Sequence, residues 1–299
     1  MNIDTTLLEG SLNPFNFYKL FKYKLDFAQN HPNYFLPEGL LVFCGSQGAG
    51  KTLSAVKYVS KCLKKYPDAI LCSNVEITEF PINCYYKRNT EIQYGIEKTF
   101  VKYYLIDDNS LVRSVCSYFE DGVQKTEIIN YATYDLIFGH IVIEYNGLDT
   151  LKDIENGEEG VIYLIDEIHL EFNSLESKNI PIEVMIEVSQ QRKQRKHIVG
   201  TSQVYMRMAK PFREQIKNVV ICRNFFKCIQ WNKLIDGETS HEENGELKFD
   251  TQKFILWLHS PADYKLYDTY KKMRRYRNEW NGVSRSDIYQ NTDSIIKNL

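Results

Sequence analysis

The sequence predicts an α/β fold: a mainly parallel sheet with helices on both faces, a β-rich insertion and a C-terminal β-hairpin. Three observations carry that prediction. Leu40 to Cys44 is a short unbroken apolar run, the pattern of a strand buried on both faces. It leads directly into Gly45-Ser46-Gln47-Gly48-Ala49-Gly50-Lys51-Thr52, which fits the phosphate-binding pattern G-x-x-x-x-G-K-[ST] at every position. Much later, a second apolar run, Val161 to Ile165, ends in the paired carboxylates Asp166 and Glu167.

The loop's residue types follow from what a polyphosphate requires. Gly45, Gly48 and Gly50 let the backbone turn tightly and aim N–H groups at phosphate oxygens, aided by the positive end of the helix that starts there. Ser46, Gln47 and Ala49 contribute further backbone to the same cradle. Lys51 supplies a point charge for the β- and γ-phosphates, and the Thr52 hydroxyl is a ligand for Mg²⁺. Asp166, delivered to the end of a buried strand, is placed to hold the Mg²⁺ shell, and Glu167 to polarise an attacking water. Together the two motifs predict a P-loop NTPase that binds ATP with Mg²⁺.

Taken in order, residues 1–12 lack periodicity. From Phe17 the positions Phe17, Leu20, Phe21, Leu25 and Ala28 keep helical spacing, interrupted by Lys24, which predicts an amphipathic helix whose apolar face packs on its own domain rather than on a partner, the less frequent arrangement. Pro32 and Pro37 mark a connector. After the loop, Ala55, Val56, Val59, Cys62, Leu63 and Tyr66 recur with helical spacing and Pro67 ends the helix. Ala69 to Val75 reads as a second core strand whose polar end, Ser73-Asn74, faces a ligand crevice. Residues 84–145 are rich in Tyr, Ile and Val, with turn signals at Asp107-Asp108-Asn109 and Glu120-Asp121-Gly122, and predict inserted strands or hairpins with no catalytic constellation.

Beyond Asp166 and Glu167, His169 and Glu171 read as part of an exposed loop. A helix opened by Pro181 carries Ile182, Met185 and Ile186 and ends in the basic run Gln190 to His197, favoured there by the helix dipole. The next strand, His197 to Gln203, brings Gln203 out beside Asp166, where it can sense the γ-phosphate or position water. Arg192 and Arg195 precede that strand and are candidates for an arginine finger acting in a neighbouring subunit. Phe212 to Lys217 reads as helix, Val219 to Cys222 and Phe225 to Trp231 as strand, Asp236 to Gly245 as a polar loop and Leu247 to Leu258 as a returning strand. The tail holds Lys271, Lys272, Arg274, Arg275 and Arg277 among Tyr270 and Tyr276, which suits either nucleic acid or a wet surface.

Composition narrows the alternatives. A formal net charge of −2 excludes coating of nucleic acid by bulk charge, so any DNA contact is local. Seven scattered cysteines with no C-x-x-C pair suggest neither a zinc knuckle nor a disulfide framework, and point to a reducing cytoplasm. No run approaches the roughly 18 apolar residues of a membrane span. No N-K-x-D follows the loop, which argues against a GTPase.

With the loop at 45–52, Ile165-Asp166-Glu167-Ile168-His169, and the basic block running into Thr201-Ser202-Gln203, the chain resembles the N-terminal ATPase domain of the zonular occludens toxin family. That family comprises filamentous-phage assembly proteins related to the FtsK/HerA group of DNA-translocating ATPases. The resemblance covers roughly residues 38–230 outside the insertion. It implies ATP binding at Gly45 to Thr52, hydrolysis through Asp166 and Glu167, and a sensor role for Gln203. It also implies a homo-oligomeric ring, by likeness a hexamer, with DNA and phage or capsid assembly proteins as partners. The membrane span that follows this domain in the family is not visible here, which favours a soluble packaging or translocation ATPase in a bacterial host's cytoplasm. The expected organisation is a lead-in at 1–37, an ATPase domain at 38–230 with its insertion at about 84–145, and a hairpin and basic tail at 231–299. A nucleotide-switched scaffold that moves nothing is the alternative.

Overall fold

The computed structural model describes residues 14–31, 34–36, 39–78, 80, 83–106, 108–131, 140–155, 159–237, 239, 241–243, 246–248 and 250–267. The lead-in at 1–12 and the basic cluster of the tail lie outside these residues. In chain order, helix α1 (Pro14–Asn30) precedes β1 (Leu40–Cys44), α2 (Lys51–Lys65) and β2 (Ile70–Ser73). The insertion contributes β3 (Asn83–Gln93), β4 (Ile96–Leu105), β5 (Leu111–Glu120) and β6 (Val123–Tyr131). The chain returns through β7 (Val142–Glu144), α3 (Asp149–Asp153), β8 (Val161–Ile165), α4 (Ile182–Gln190), β9 (Lys196–Ser202) and α5 (Lys210–Arg213). It ends with β10 (Ile216–Phe225), β11 (Ile229–Asp236), the small pair β12 (His241–Glu243) and β13 (Glu246–Lys248), then β14 (Thr251–Leu258) and α6 (Pro261–Lys265).

One 12-stranded sheet organises the described residues, in the order β14-β11-β10-β1-β9-β8-β2-β7-β3-β4-β5-β6. From β10 to β3 neighbouring strands run parallel, and antiparallel strands extend the sheet at both ends. The insertion therefore continues the core sheet through β3, which pairs with β7, and the boundary expected at residue 230 falls within β11 of the same sheet. Strands β1 and β8 are buried along their whole length, as their unbroken apolar sequences require. One face packs Val56, Val59 and Leu63 of α2, and the other packs Leu151 of α3 with Val184 and Val188 of α4. Each such side chain removed from water contributes about 1.5–3 kcal/mol.

Several local expectations change. Helix α1 does not pack an apolar face on the domain: Phe17, Leu20, Phe21 and Leu25 are exposed, and its contact is the aromatic group of Phe27, His31 and Tyr34 at its C-terminal end. The basic run is not one solvated helix end, because α4 stops at Gln190 and the chain reverses through Arg195, at φ 54°, into β9. Lys196 is buried, donating to Leu151 O at 2.7 Å and Glu187 at 2.8 Å, and burial lowers its pKa despite that carboxylate. Of the stretch 212–217 only the start is helical, since Ile216 already pairs with Leu40 in β10. The run Phe225 to Trp231 is broken by a turn with Phe226 and Lys227 at φ 53° and 58°, so β10 and β11 form a hairpin.

Candidate nucleotide and metal site

Parallel strands β1, β9, β8 and β2 end on one edge of the sheet, and the phosphate-loop pattern and the paired carboxylates meet there. The loop turns through Gly48 and Gly50 at φ 77° and 79°, and α2 starts at Lys51. Lys51 is buried and its Nζ donates to Ser46 O at 3.2 Å, so the amine lies folded back inside the loop. Thr52 Oγ1 donates to Asp166 Oδ1 at 2.9 Å, bringing together the two side chains expected to hold a metal.

Two polar residues at strand ends, given no chemical role from the sequence, fix this pair. Thr201 Oγ1 donates to the same Asp166 oxygen at 2.5 Å and accepts from the Glu167 N–H at 2.9 Å. Asn74, just past β2, accepts from the Asp166 N–H at 2.8 Å and donates to its carbonyl at 3.1 Å. Asp166 is thereby held from β2, β9 and α2 at once. Glu167 has a left-handed backbone, φ 54° and ψ 45°, a costly state for a side-chain-bearing residue that persists where its surroundings over-determine it. Gly200 makes room for the turn that follows, since a Cβ there would lie 2.8 Å from Ile168 Cγ2.

Gln203 emerges on this edge as expected, and its Nε2 donates to Glu167 Oε1 at 3.3 Å. His169 is not in an exposed loop. It is buried, and its Nδ1 lies 3.2 Å from Glu167 Oε2. The two carboxylate oxygens of Glu167 thus face Gln203, by a hydrogen bond, and His169, by proximity. Beneath the loop, burial pushes the Cys222 thiol up to about 12 and the Cys44 thiol further, so both are neutral packing groups.

Arg192 and Arg195 are not brought to this edge of their own subunit. Both precede β9, and the seven residues of that strand separate its start from Gln203 by roughly 20 Å at the usual rise. Arg195 instead stacks over Tyr34, 4.6 Å from the ring centre, and donates to its hydroxyl at 3.0 Å. The carbonyl of Cys222 on β10 packs against Gly45, while the next residue, Arg223, is exposed with its guanidinium 5.9 Å from the Trp231 ring centre.

Sheet order, loop and paired carboxylates define the fold as that of a P-loop NTPase. No protein-family model matches the sequence, and no curated protein matches it. Among solved structures the chain is similar to the N-terminal domain of zonular occludens toxin from Neisseria meningitidis, with TM-score 0.43 and 11% identity over 78% of this chain and 100% of that one. It is also similar to the genome packaging NTPase B204 from Sulfolobus turreted icosahedral virus 2 in complex with ATP-gammaS, with TM-score 0.40 and 11% identity over 71% and 96% of the two chains. B204, the DNA-packaging ATPase from Sulfolobus turreted icosahedral virus, is similar at TM-score 0.36 and 11% identity, over 72% and 98%. No helix among the described residues is long and apolar enough to cross a membrane.

Proposed function

We propose that this chain is a magnesium-dependent ATPase of a phage or other mobile element that drives DNA packaging, DNA translocation or virion assembly as a homo-oligomeric ring, by resemblance a hexamer. The observation that carries the reading is the convergence of Thr52 and Thr201 on one oxygen of Asp166, directly beside a Glu167 that accepts from Gln203.

The oxygens of Thr52 and Asp166 fit Mg²⁺, a hard cation that takes one or two protein oxygens and keeps water and phosphate for the rest. When bound, the magnesium nucleotide supplies the transferable phosphoryl group and partial neutralisation of its charge. Lys51 exchanges the Ser46 carbonyl for phosphate oxygens. The N–H groups of Gly45 to Thr52 and the N-terminus of α2 hold the phosphate chain. Glu167 orients a water and accepts its proton at a carboxylate oxygen, while Gln203 keeps that carboxylate aimed at the phosphate side. The loop geometry fits phosphate without selecting the base, so ATP as the nucleotide rests on resemblance.

The test is ATP turnover by the full chain with Mg²⁺, alone and with single- or double-stranded DNA, beside Lys51→Ala. Turnover that DNA stimulates and Lys51→Ala abolishes supports a motor. Nucleotide binding without turnover supports the switched scaffold. Unchanged nucleotide affinity in Lys51→Ala removes the site assignment.

A further inference from the structure

The back wall of the phosphate loop is built by the C-terminal strands, and the hydrogen bonds of its central amide can be oriented by counting donors. Gln230, at the start of β11, is fully buried. Its Nε2 donates to Ala49 O in the loop at 2.9 Å and to Asn232 Oδ1 at 2.8 Å, and Asn232 Nδ2 donates to Ser54 Oγ in the first turn of α2 at 3.1 Å. Both amide protons of Gln230 are then used on carbonyl oxygens, so Oε1 must accept. The group facing it, at 3.2 Å, is His259 Nε2, just past β14. His259 therefore carries its proton on Nε2. Its Nδ1 lies against the Tyr264 hydroxyl of α6, which also donates to Lys227 O at 3.1 Å; in the neutral ring Nδ1 is an acceptor, and the one hydroxyl proton is then shared between Nδ1 and that carbonyl.

Burial lowers the His259 pKa, with Lys57 acting the same way and Asp263 and the Lys227 backbone opposing, and the net direction favours the neutral ring. The assembly is anchored at its far end as well. Lys57 of α2 pairs with Asp263 of α6 at 2.8 Å and lies 3.8 Å over the Trp257 ring of β14. The loop side is equally close: a Cβ on Gly50 would sit 2.2 Å from Gln230 Oε1. No other chain of buried polar side chains among those described above connects the loop to the C-terminal segment.

We propose that Gln230 is a positioning residue for nucleotide binding, and that His259 and Tyr264 hold its amide in register so that β14 and α6 control the shape of the phosphate loop. A ligand or partner that moves α6 would then change nucleotide affinity without touching the nucleotide. This rests on the nucleotide reading above.

The experiment titrates ATPγS with Mg²⁺ into the full chain by calorimetry for wild type, Lys51→Ala, Gln230→Met, His259→Phe and His259→Gln. Thermal melts without nucleotide are recorded for each. Gln230→Met keeps the volume and removes the donor to Ala49, and one lost hydrogen bond at the loop predicts affinity reduced by about tenfold. His259→Phe is expected to weaken binding in the same direction, and His259→Gln, which keeps a donor near the Nε2 position, to restore it. A purely structural role would lower the melting temperature of the His259 variants without this loss and recovery. ¹⁵N chemical shifts of His259 should report the Nε2–H tautomer. If Gln230→Met folds and binds as wild type while Lys51→Ala does not bind, the inference is overturned and the nucleotide reading stands. If Gln230→Met does not fold, the two His259 variants decide, and equal affinity in both overturns it. An Nδ1–H tautomer also overturns it. A wild type that binds no nucleotide removes the parent reading and this one together.

Discussion

The packing of Gln230 against the phosphate loop predicts a difference between two glycines that the sequence pattern treats alike. Gly48 and Gly50 both have left-handed φ, 77° and 79°, but a Cβ on Gly48 meets nothing within 4 Å, whereas on Gly50 it meets Gln230 Oε1 at 2.2 Å and Cδ at 2.9 Å. The left-handed backbone costs alanine about 1–2 kcal/mol, offset in part by lower unfolded-state entropy, so Gly48→Ala should destabilise by about 1 kcal/mol. Gly50→Ala bears the same cost and must also expel the Gln230 amide from its bonds to Ala49, Asn232 and His259. At about 1 kcal/mol for each buried hydrogen bond, its total cost is about 4 kcal/mol. Urea unfolding of the nucleotide-free protein measures both. Gly50→Ala combined with Gln230→Ala should cost less than the sum of the single changes, by about 3 kcal/mol, because the three hydrogen bonds are lost only once when the amide is removed. Equal destabilisation by the two glycine variants, or strict additivity in the double variant, would refute the packing argument.

Glu167→Gln should bind ATP with unchanged affinity and hydrolyse it at least a hundredfold more slowly, a loss on the order of a general base's contribution, checked by single-turnover kinetics. Thr201→Val keeps its shape but strips a donor from Asp166 and leaves the Glu167 N–H unpaired; a loss of about 1–3 kcal/mol in stability and a weaker response to Mg²⁺ are expected from melts and magnesium titrations of turnover. Burial raises the Asp263 pKa, but hydrogen bonds from Lys57 and Ser260 outweigh it and hold the carboxyl below its ordinary value. Its stabilisation is therefore complete above about pH 4 and lost as pH falls through the folded value, so melts between pH 2.5 and 7 should show a shallower acid limb in Asp263→Asn. Finally, mixing Lys51→Ala with the double change of Arg192 and Arg195 to Ala should restore part of the ATPase activity if either arginine acts across a subunit boundary, and co-assembly without recovery would end that role.

What could be read from the sequence was what short-range pattern encodes. The loop, the strand before it, the helix after it and the two carboxylates each follow from residue types within a few positions, and the structure shows them together. The β-rich character of the insertion was legible for the same reason, but not its pairing with β7, since parallel partners are set by contacts far apart in sequence. The β10–β11 turn was missed because Phe226 and Lys227 hold positive φ without the Gly or Asn that usually signals it. His169 was misplaced because burial of a polar residue depends on the partner it meets, here Glu167. Thr201 and Asn74 carried only the weak signal of polar residues at strand ends.

The same strand geometry constrains how a neighbouring subunit could complete the site. Groups suited to phosphate chemistry lie where β1, β8 and β9 finish, whereas Arg192 and Arg195 lie where β9 begins. An isologous, two-fold contact sets like patches against each other and would keep those arginines away from the partner's loop, unless one interface spanned both edges. A head-to-tail contact instead sets the starting edge of one sheet against the finishing edge of the next, and repeated it gives a ring or a filament. An arginine supplied in trans from this run therefore requires a heterologous assembly or a two-fold interface that spans both edges. It also requires Arg195 to leave Tyr34, surrendering the stacking and the hydrogen bond it has there. Arg192 is exposed and is not the arginine stacked on Tyr34, so of the two it is the one better placed to serve a neighbour.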